Sequence, residues 1–183
     1  VRRILCEEPF SAIAEREFDA VIVGGGLAGV YTALNLPDSM RVLLLLKRDA
    51  RNASSWYAQG GVAAVTLPED SFEAHIRDTL AAGAGLCDEA AVRVLVTEGP
   101  DRIRDLTALG VPFDRTPAGR IDVGREGSHS YKRIIHCGKD VTGRVILQRL
   151  YEQLLTRPQV EVRAGAALCD VVTDEKGVCG VAY

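Results

Sequence analysis

Six residues near the start of the chain carry the clearest chemical signal in the sequence. Gly24, Gly25, Gly26, Leu27, Ala28 and Gly29 match the pattern G-x-G-x-x-G. The apolar run Ala20–Val23 before them predicts a buried strand, and apolar residues at helical spacing follow them. In such a turn Gly24 permits the tight bend, Gly26 lets the backbone approach a pyrophosphate, and Gly29 lets helix and strand pack closely. The motif therefore predicts a dinucleotide site at the N-terminus of a helix.

The end of the next predicted strand leaves the identity of the dinucleotide open. The run Val42–Leu46 is apolar without alternation, as buried parallel strands are, and completes a β-α-β unit. Dinucleotide folds usually place an acidic residue after this strand to bind the ribose hydroxyls. Here Lys47 and Arg48 stand at that place, with Asp49 next. A basic strand end is compatible with the 2′-phosphate of NADP, and equally with a dinucleotide whose ribose is held by lysine or by other groups.

A second segment, Ser54–Gly61, narrows the choice. It contains an uncharged series of hydroxyl, aromatic and glycine residues: Ser54, Ser55, Trp56, Tyr57, Ala58, Gln59, Gly60 and Gly61. FAD needs backbone amides and small hydroxyls along its pyrophosphate and ribityl chain, and flat apolar cover for its ring system. The composition of the segment meets these demands, although a tight buried turn without a ligand would have a similar composition.

Several motifs in fixed order resemble the L-aspartate oxidases, which belong to the succinate dehydrogenase/fumarate reductase flavoprotein superfamily. The resemblance covers the chain from about Asp19 to Val181. It is carried by the segments "VIVGGGLAGVYTALNL", "SSWYAQGGVAAV", "HIRDTLAAGAGLCDEAAV", "LGVPFD" and "GREGSHSYKRIIHCGKDVTG". The resemblance implies FAD as the cofactor, with Gly25–Ala28 and Ser54–Gly61 lining it and Lys47 facing it. It also implies that Ala167 and Leu168 meet the adenosine end through backbone groups.

Two positions separate the branches of this superfamily. Relatives of the succinate dehydrogenase type carry a histidine that links covalently to the flavin at the place of Ser54, so the resemblance implies non-covalent FAD. Aspartate oxidases carry an Arg-Glu-Gly motif, which is Arg125–Gly127 here. A carboxylate at Glu126 suits an α-ammonium group, which succinate lacks. Ser128 departs from the family pattern, in which a second glycine is common.

The basic residues around this motif are harder to assign. His129 is a candidate for contact with substrate or flavin, and a role in structuring the loop is an equal alternative. We expect His75 and His136 to be structural. Lys132 and Arg133 are expected to bond loop carbonyls or to face water.

Composition excludes several classes of protein. The 183 residues are 47% hydrophobic and 26% charged, and the net charge is −3, so nothing in the charge predicts a nucleic-acid partner. The longest apolar run is too short to span a membrane, and the N-terminus lacks the apolar core of a secretory signal. Five cysteines without a C-x-x-C pair predict reduced thiols in a cytoplasmic protein and no metal site.

The remaining patterns predict the other elements. Asp70 and Glu73 at capping-box spacing predict a helix through about residue 80, and Asp88 predicts a cap for another through residue 96. Pro100 is expected to open a further helix that ends at residues 109–110. An amphipathic helix follows residue 142, with Val145, Leu147, Leu150, Leu154 and Leu155 on its apolar stripe. Two or three strands follow, the last pair joined by a turn at residues 175–177.

These elements predict an α/β fold, a Rossmann-like FAD-binding domain of the glutathione-reductase type with a parallel sheet and a β-meander. We expect an N-terminal extension over residues 1–18 and the FAD-binding domain over residues 19–183, with a helical and loop excursion at about 70–140. The chain stops within the meander, so we expect the domain to be incomplete at its C-terminus, and the capping and helical domains of the family to be absent.

The resemblance implies FAD-dependent oxidation of L-aspartate to iminoaspartate, the first step of de novo NAD biosynthesis. Oxygen or fumarate would accept the electrons, and quinolinate synthase is a possible partner downstream. We expect the chain by itself not to turn over aspartate. Two alternatives are a fumarate reductase or succinate dehydrogenase type of flavoprotein, and a non-catalytic FAD-binding module.

Overall fold

The structure is a computed structural model that describes residues 14–183, so most of the predicted N-terminal extension lies outside the described residues. In chain order the elements are β1 (Ala20–Val23), α1 (Leu27–Asn35), β2 (Val42–Leu46), β3 (Val62–Ala63), α2 (Phe72–Ala82), α3 (Glu89–Ala108), β4 (Val123–Gly124), β5 (Ile134–Ile135), α4 (Thr142–Leu154), β6 (Val160–Ala164), β7 (Asp170–Asp174) and β8 (Gly177–Ala182). Short 3-10 turns cover Ala50–Asn52 and Ser54–Tyr57. Within residues 14–183, no helix has the length and apolar character needed to cross a membrane.

The chain divides into two compact units. The first comprises the described residues up to Trp56 together with Leu150–Tyr183, and the second comprises Tyr57–Arg149. Helix α4 begins in the second unit, and its last five residues belong to the first.

The first unit is built on the predicted parallel sheet, in the order β1-β2-β6. All three strands run parallel, with Ala20 opposite Val42 and Val42 opposite Val160. All five residues of the central strand β2 are buried, which explains why its sequence does not alternate. The bounds of β1 and β2 agree with the prediction, but β1 is not buried as predicted, since Val21 and Val23 are 36% and 48% exposed. Strands β7 and β8 form the predicted antiparallel hairpin. The α/β fold class is thereby confirmed.

The second unit combines two helices with a small antiparallel sheet. Ile76 of α2 packs with Val92 and Val96 of α3 to form one buried cluster. The strands lie in the order β3-β5-β4, each of two residues. Strand β5 is fully buried between its neighbours, and the loop that precedes it carries the Arg-Glu-Gly motif.

Two helix starts differ from the sequence prediction. Helix α2 is capped by Ser71, whose side chain accepts a hydrogen bond from the Ala74 amide, and not by Asp70. The Asp70 carboxylate instead binds a buried arginine described below. Helix α3 runs without a break from Glu89 to Ala108, with Pro100 inside it.

The continuity of α3 has a physical reason. Proline lacks an amide hydrogen, so Pro100 cannot donate to the carbonyl four residues earlier. However, Val92, Val96, Ile103 and Leu106 are all buried, and they follow one helical stripe across the proline. Burial of this stripe stabilises one helix over two.

The apolar stripe of α4 also differs in part from the prediction. Leu147, Leu150 and Leu154 are fully buried as expected, and Ile146 is buried with them. Leu155 is 69% exposed because the helix ends one residue before it.

Candidate functional site

The glycine turn of the first unit requires glycine at Gly24 for its backbone conformation and at Gly25 and Gly29 for lack of space. Gly24 has a φ of +113°, which favours glycine. A Cβ on Gly25 would lie 2.5 Å from Cδ2 of Leu46, and one on Gly29 would lie 2.0 Å from the carbonyl oxygen of Gly24. Helix α1 can therefore lie close to strands β1 and β2 only with glycine at these positions.

The start of α1 offers free amide groups. The cap residue Gly26 has no side chain, and the Ser55 hydroxyl instead accepts a hydrogen bond of 3.1 Å from the Leu27 amide. The next two amides, of Ala28 and Gly29, have no acceptor among residues 14–183. A Cβ on Gly24 would have no atom within 4 Å, so the turn is open. Free amides at an open helix N-terminus fit a phosphate group.

The other predicted nucleotide residues of the first unit lie at the same edge of its sheet. The Gly24 amide donates to the Leu45 carbonyl, and the Ala166 amide donates to the Leu46 carbonyl, both at 2.9 Å. Lys47 follows directly and is exposed. Ala167 and Leu168 are also exposed, in the link between β6 and β7. The carboxyl edge of a parallel sheet is where such folds bind ligands.

The predicted residues of the second unit lead into strand β3. Tyr57 is 68% exposed, and Ala58, Gln59 and Gly60 are exposed as well. Gly61 has a φ of +82°, and a Cβ there would lie 2.7 Å from the Ile135 carbonyl oxygen. The second glycine of the pair is therefore required by the turn into the sheet.

Glu126 lies beside this double glycine. Its Oε2 is 3.6 Å from the position of a Cβ on Gly60, and its Oε1 is 3.2 Å from Nε2 of His136. The Glu126 side chain is 50% exposed, and the His136 side chain is 25% exposed. The structure thus presents an accessible carboxylate that contacts a histidine on one side and lies next to a glycine on the other.

A buried ion cluster supports the loop that carries Glu126. The Arg133 side chain is fully buried and binds two carboxylates. Its Nε and Nη2 donate to both oxygens of Asp70 at 2.8 and 2.7 Å, and its Nη1 donates to Asp78 at 2.8 Å. Asp78 also accepts hydrogen bonds from the amide and the hydroxyl of Ser130, each at 2.7 Å. The expectation that Arg133 bonds loop carbonyls or faces water is wrong, because two buried carboxylates neutralise it.

The cluster shifts the pKa of both partners. Burial alone would raise the pKa of Asp78, but the hydrogen bonds from Ser130 and Arg133 outweigh burial and lower the pKa to about 2. Burial alone would lower the pKa of Arg133, but the two aspartates reverse this and raise it. Asp78 and Arg133 are therefore both charged at neutral pH.

Two histidines adjoin the cluster. The His129 amide lies 3.3 Å from the Glu126 carbonyl, which closes a tight turn. Nδ1 of His129 is 3.3 Å from Nη1 of Arg133, and its ring lies edge-on to that of His75, with centroids 5.7 Å apart. His75 is buried, and burial and the nearby Arg133 lower its pKa.

Comparison with known proteins identifies the cofactor. The model of the FAD binding domain family matches residues 19–183. The chain belongs to the FAD binding domain family. The cofactor is accordingly FAD and not the NADP that the basic strand end had left open.

The relatives of this FAD binding domain carry one recurring name. The L-aspartate oxidase 2-b, chloroplastic, of Nicotiana tabacum is 43% identical over 162 residues, which are 88% of this chain and 25% of the relative. The L-aspartate oxidase of Neisseria meningitidis serogroup B is 42% identical over 167 residues, 91% of this chain and 33% of the relative. The resemblance found in the sequence is thereby confirmed. The chain spans about a quarter to a third of the length of these relatives.

Solved structures agree on the fold. A variant of E. coli quinol fumarate reductase superposes with a TM-score of 0.85 at 30% identity, covering 90% of this chain and 28% of that one. The likeness extends over nearly all of the chain, so both units belong to the shared fold.

Sequence reasoning missed the Arg133 cluster and the contact of His136 with Glu126. Asp70 and Asp78 precede Arg133 by 63 and 55 residues, and no local pattern joins them. One signal was available in the run Tyr131–Cys137, where Arg133, the second of two basic residues, directly precedes two isoleucines. A charge beside a buried strand needs a buried partner.

Proposed function

We propose that this FAD binding domain serves an L-aspartate oxidase, which oxidises L-aspartate to iminoaspartate. The observation that carries the proposal is the accessible carboxylate of Glu126 beside Gly60. Relatives of that name at 42–43% identity support it. When bound, FAD supplies the acceptor for the hydride that leaves Cα of the amino acid.

In this proposal the cofactor residues are those predicted from the sequence. Free amides of Ala28 and Gly29 hold the pyrophosphate, and Lys47 and the Ala167–Leu168 backbone lie toward the adenosine end. Ser54 has no group that attaches to a flavin, so FAD binds without a covalent link. Tyr57–Gly61 supply backbone and apolar contacts.

Glu126 recognises the substrate by charge. Its carboxylate pairs with the α-ammonium group, and His136 fixes its orientation through the contact of 3.2 Å. Gly60 has no side chain and so leaves space next to the carboxylate. A dicarboxylic acid without the amino group would leave Glu126 unpaired and repel it, which favours aspartate over succinate.

The wider setting belongs to the same proposal. Oxygen or fumarate would be the electron acceptor, and the iminoaspartate would pass to quinolinate synthase in cytoplasmic NAD biosynthesis. The fumarate reductase in the structural comparison makes fumarate a reasonable acceptor.

The test is a substitution of Glu126 in the FAD-loaded protein. Glu126→Gln should raise the Kd for L-aspartate, followed by the flavin absorbance, about tenfold to a hundredfold, because a hydrogen bond between charged groups contributes about 1.5–3 kcal/mol. Glu69→Gln, at an exposed acid of the same unit, is the matched control and should change nothing. Binding of succinate, followed by the flavin absorbance, should improve in Glu126→Gln.

Other outcomes would favour the alternatives. If Glu126→Gln kept the full preference for aspartate over succinate, the substrate role of Glu126 would be wrong. A protein that binds FAD but shows no bleaching with aspartate and no spectral change with any dicarboxylate would be a non-catalytic module. Flavin that stayed attached after acid denaturation would contradict non-covalent binding.

A further inference from the structure

The loop between β4 and β5 is held from beneath by the buried cluster. Ser130 gives both its amide and its hydroxyl hydrogen to Asp78, and Arg133 binds Asp78 and Asp70. The two residues of this loop with a predicted role, Glu126 and His129, lie four residues and one residue before Ser130 in the chain. The cluster therefore determines the position of the loop.

The contact between Arg133 and His129 also determines a proton position. Nη1 of Arg133 lies 3.3 Å from Nδ1 of His129. A guanidinium group is always charged and can only donate hydrogen bonds. Nδ1 of His129 must therefore be the acceptor, which means that the ring hydrogen is on Nε2. A doubly protonated ring could not accept this hydrogen bond.

The groups around the His129 ring are consistent with a neutral imidazole. His75 of α2 faces it edge-on, and the pKa of His75 is lowered by burial and by Arg133, so it is neutral too. The charges of the cluster near both rings are those of Arg133, Asp70 and Asp78, and these are paired with one another. Nε2 of His129 has no partner within residues 14–183, and the side chain is only partly buried.

We propose that Arg133 is a positioning residue: held by Asp70 and Asp78, it fixes His129 as the Nε2–H tautomer. His129 is then a neutral hydrogen-bond donor for a carboxylate oxygen of the bound ligand, and not a general base. The identity of that ligand as a dicarboxylate rests on the proposed function. The control of the tautomer by Arg133 does not rest on the proposed function, since it follows from the contact between Arg133 and His129.

The tautomer can be read directly by NMR. The chain contains three histidines, so protein labelled with ¹⁵N-histidine gives three pairs of ring nitrogen signals, which His→Gln variants assign. We expect His129 of the wild type to be a single Nε2–H tautomer at neutral pH. Arg133→Lys keeps the charge but loses the planar fork that reaches both carboxylates and the histidine, so it should give a mixture of tautomers. The matched control Lys132→Arg, at an exposed neighbour, should leave the His129 signals unchanged.

Two results would overturn the control by Arg133. One is a wild-type His129 that carries its hydrogen on Nδ1, exists as a mixture, or is doubly protonated at neutral pH. The other is a folded Arg133→Lys variant with the wild-type tautomer. The wild-type measurement can overturn the proposal even if Arg133→Lys does not fold.

The donor role has its own experiment. Succinate has the two carboxylates of aspartate without its amino group, and the flavin absorbance of the FAD-loaded protein would report its Kd. His129→Leu should weaken succinate binding about tenfold or more, whereas His129→Gln, which retains an N–H donor, should recover much of the loss. Equal Kd values for the wild type and His129→Leu would overturn the donor role. If the wild type showed the Nε2–H tautomer and bound no dicarboxylate, the donor role and the proposed function would both be wrong. If it showed a mixture of tautomers and bound succinate normally, only the control of the His129 tautomer by Arg133 would be refuted.

Discussion

The two units of the chain build their candidate sites in opposite ways. In the first unit the site consists of backbone. It has free amides at the start of α1, and it has glycines at which a Cβ would collide with Leu46 or with the Gly24 carbonyl oxygen. In the second unit the site consists of side chains, with Glu126 and His129 on a loop that is held by a buried arginine and two buried carboxylates.

This difference determines what each site tolerates. A site of backbone amides depends on close packing and is sensitive to the addition of a single methyl group. A site supported by buried charges depends on electrical balance, because removal of one partner leaves the others buried and unpaired. The first unit should therefore respond mainly to changes of volume, and the second mainly to changes of charge.

The largest effect is expected from removal of the buried charge in the second unit. Arg133→Met should lower the free energy of unfolding by about 3–5 kcal/mol, because Asp70 and Asp78 would remain buried without a counterion. Urea denaturation measures it, with Lys132→Met as the control, which should change stability by less than about 0.5 kcal/mol. The triple variant Asp70→Asn, Arg133→Met, Asp78→Asn should recover part of the loss. A loss below about 1 kcal/mol in Arg133→Met would show that the cluster is not what stabilises this unit.

The counterpart in the first unit is a change of volume without a change of charge. Gly29→Ala should destabilise the chain by about 2–3 kcal/mol and weaken FAD binding, since its Cβ would lie 2.0 Å from a backbone oxygen and α1 would have to move. Gly99→Ala is the matched control inside α3 of the second unit, where a Cβ would have only ordinary contact at 3.8 Å. That variant should gain about 0.5–1 kcal/mol from helix propensity. If both alanines had the same effect, close packing at the glycine turn would not be the reason for its sequence.

The same difference explains how much could be predicted from the sequence. The bounds of β1 and β2 and the glycine turn follow from neighbouring residues, and the structure has them where they were predicted. Asp70 was assigned to a helix cap because its local spacing to Glu73 fits one, while its actual partner Arg133 is 63 residues away. The role of Glu126 is predicted only through the resemblance to a family, and its contact with His136 is visible only in the structure. Local patterns predict backbone sites, but pairs of charges brought together by the fold leave no local pattern.

The buried carboxylate of Asp78 should make the free energy of unfolding depend on pH. The pKa of Asp78 is lowered to about 2 in the folded chain, against about 3.9 for an unperturbed aspartate. Its contribution to stability, on the order of 2 kcal/mol, is therefore complete above pH 4 and is lost as the pH falls toward 2. The stability difference between the wild type and Asp78→Asn should shrink by about that amount between pH 5 and pH 2. The exposed Asp140, replaced by asparagine, serves as the control, and a difference for Asp78→Asn that is independent of pH would contradict the assigned pKa.

The smallest expected effect concerns the loop of the second unit that carries Glu126 and His129. Ser128 has a φ of +67°, in the left-handed region that favours glycine, and the aspartate oxidase pattern commonly has glycine at this position. Ser128→Gly should relieve about 1–2 kcal/mol of backbone strain. The greater freedom of glycine in the unfolded chain offsets part of this, so the free energy of unfolding should rise by about 0.5–1 kcal/mol. Ser128→Ala keeps the strained φ while removing the hydroxyl, so it should show no gain. If alanine stabilised the chain as much as glycine, the hydroxyl and not the backbone would be the source of the cost. A gain for glycine alone would mean that the loop that carries Glu126 and His129 is under backbone strain, which the hydrogen bonds that Ser130 donates to Asp78 counteract.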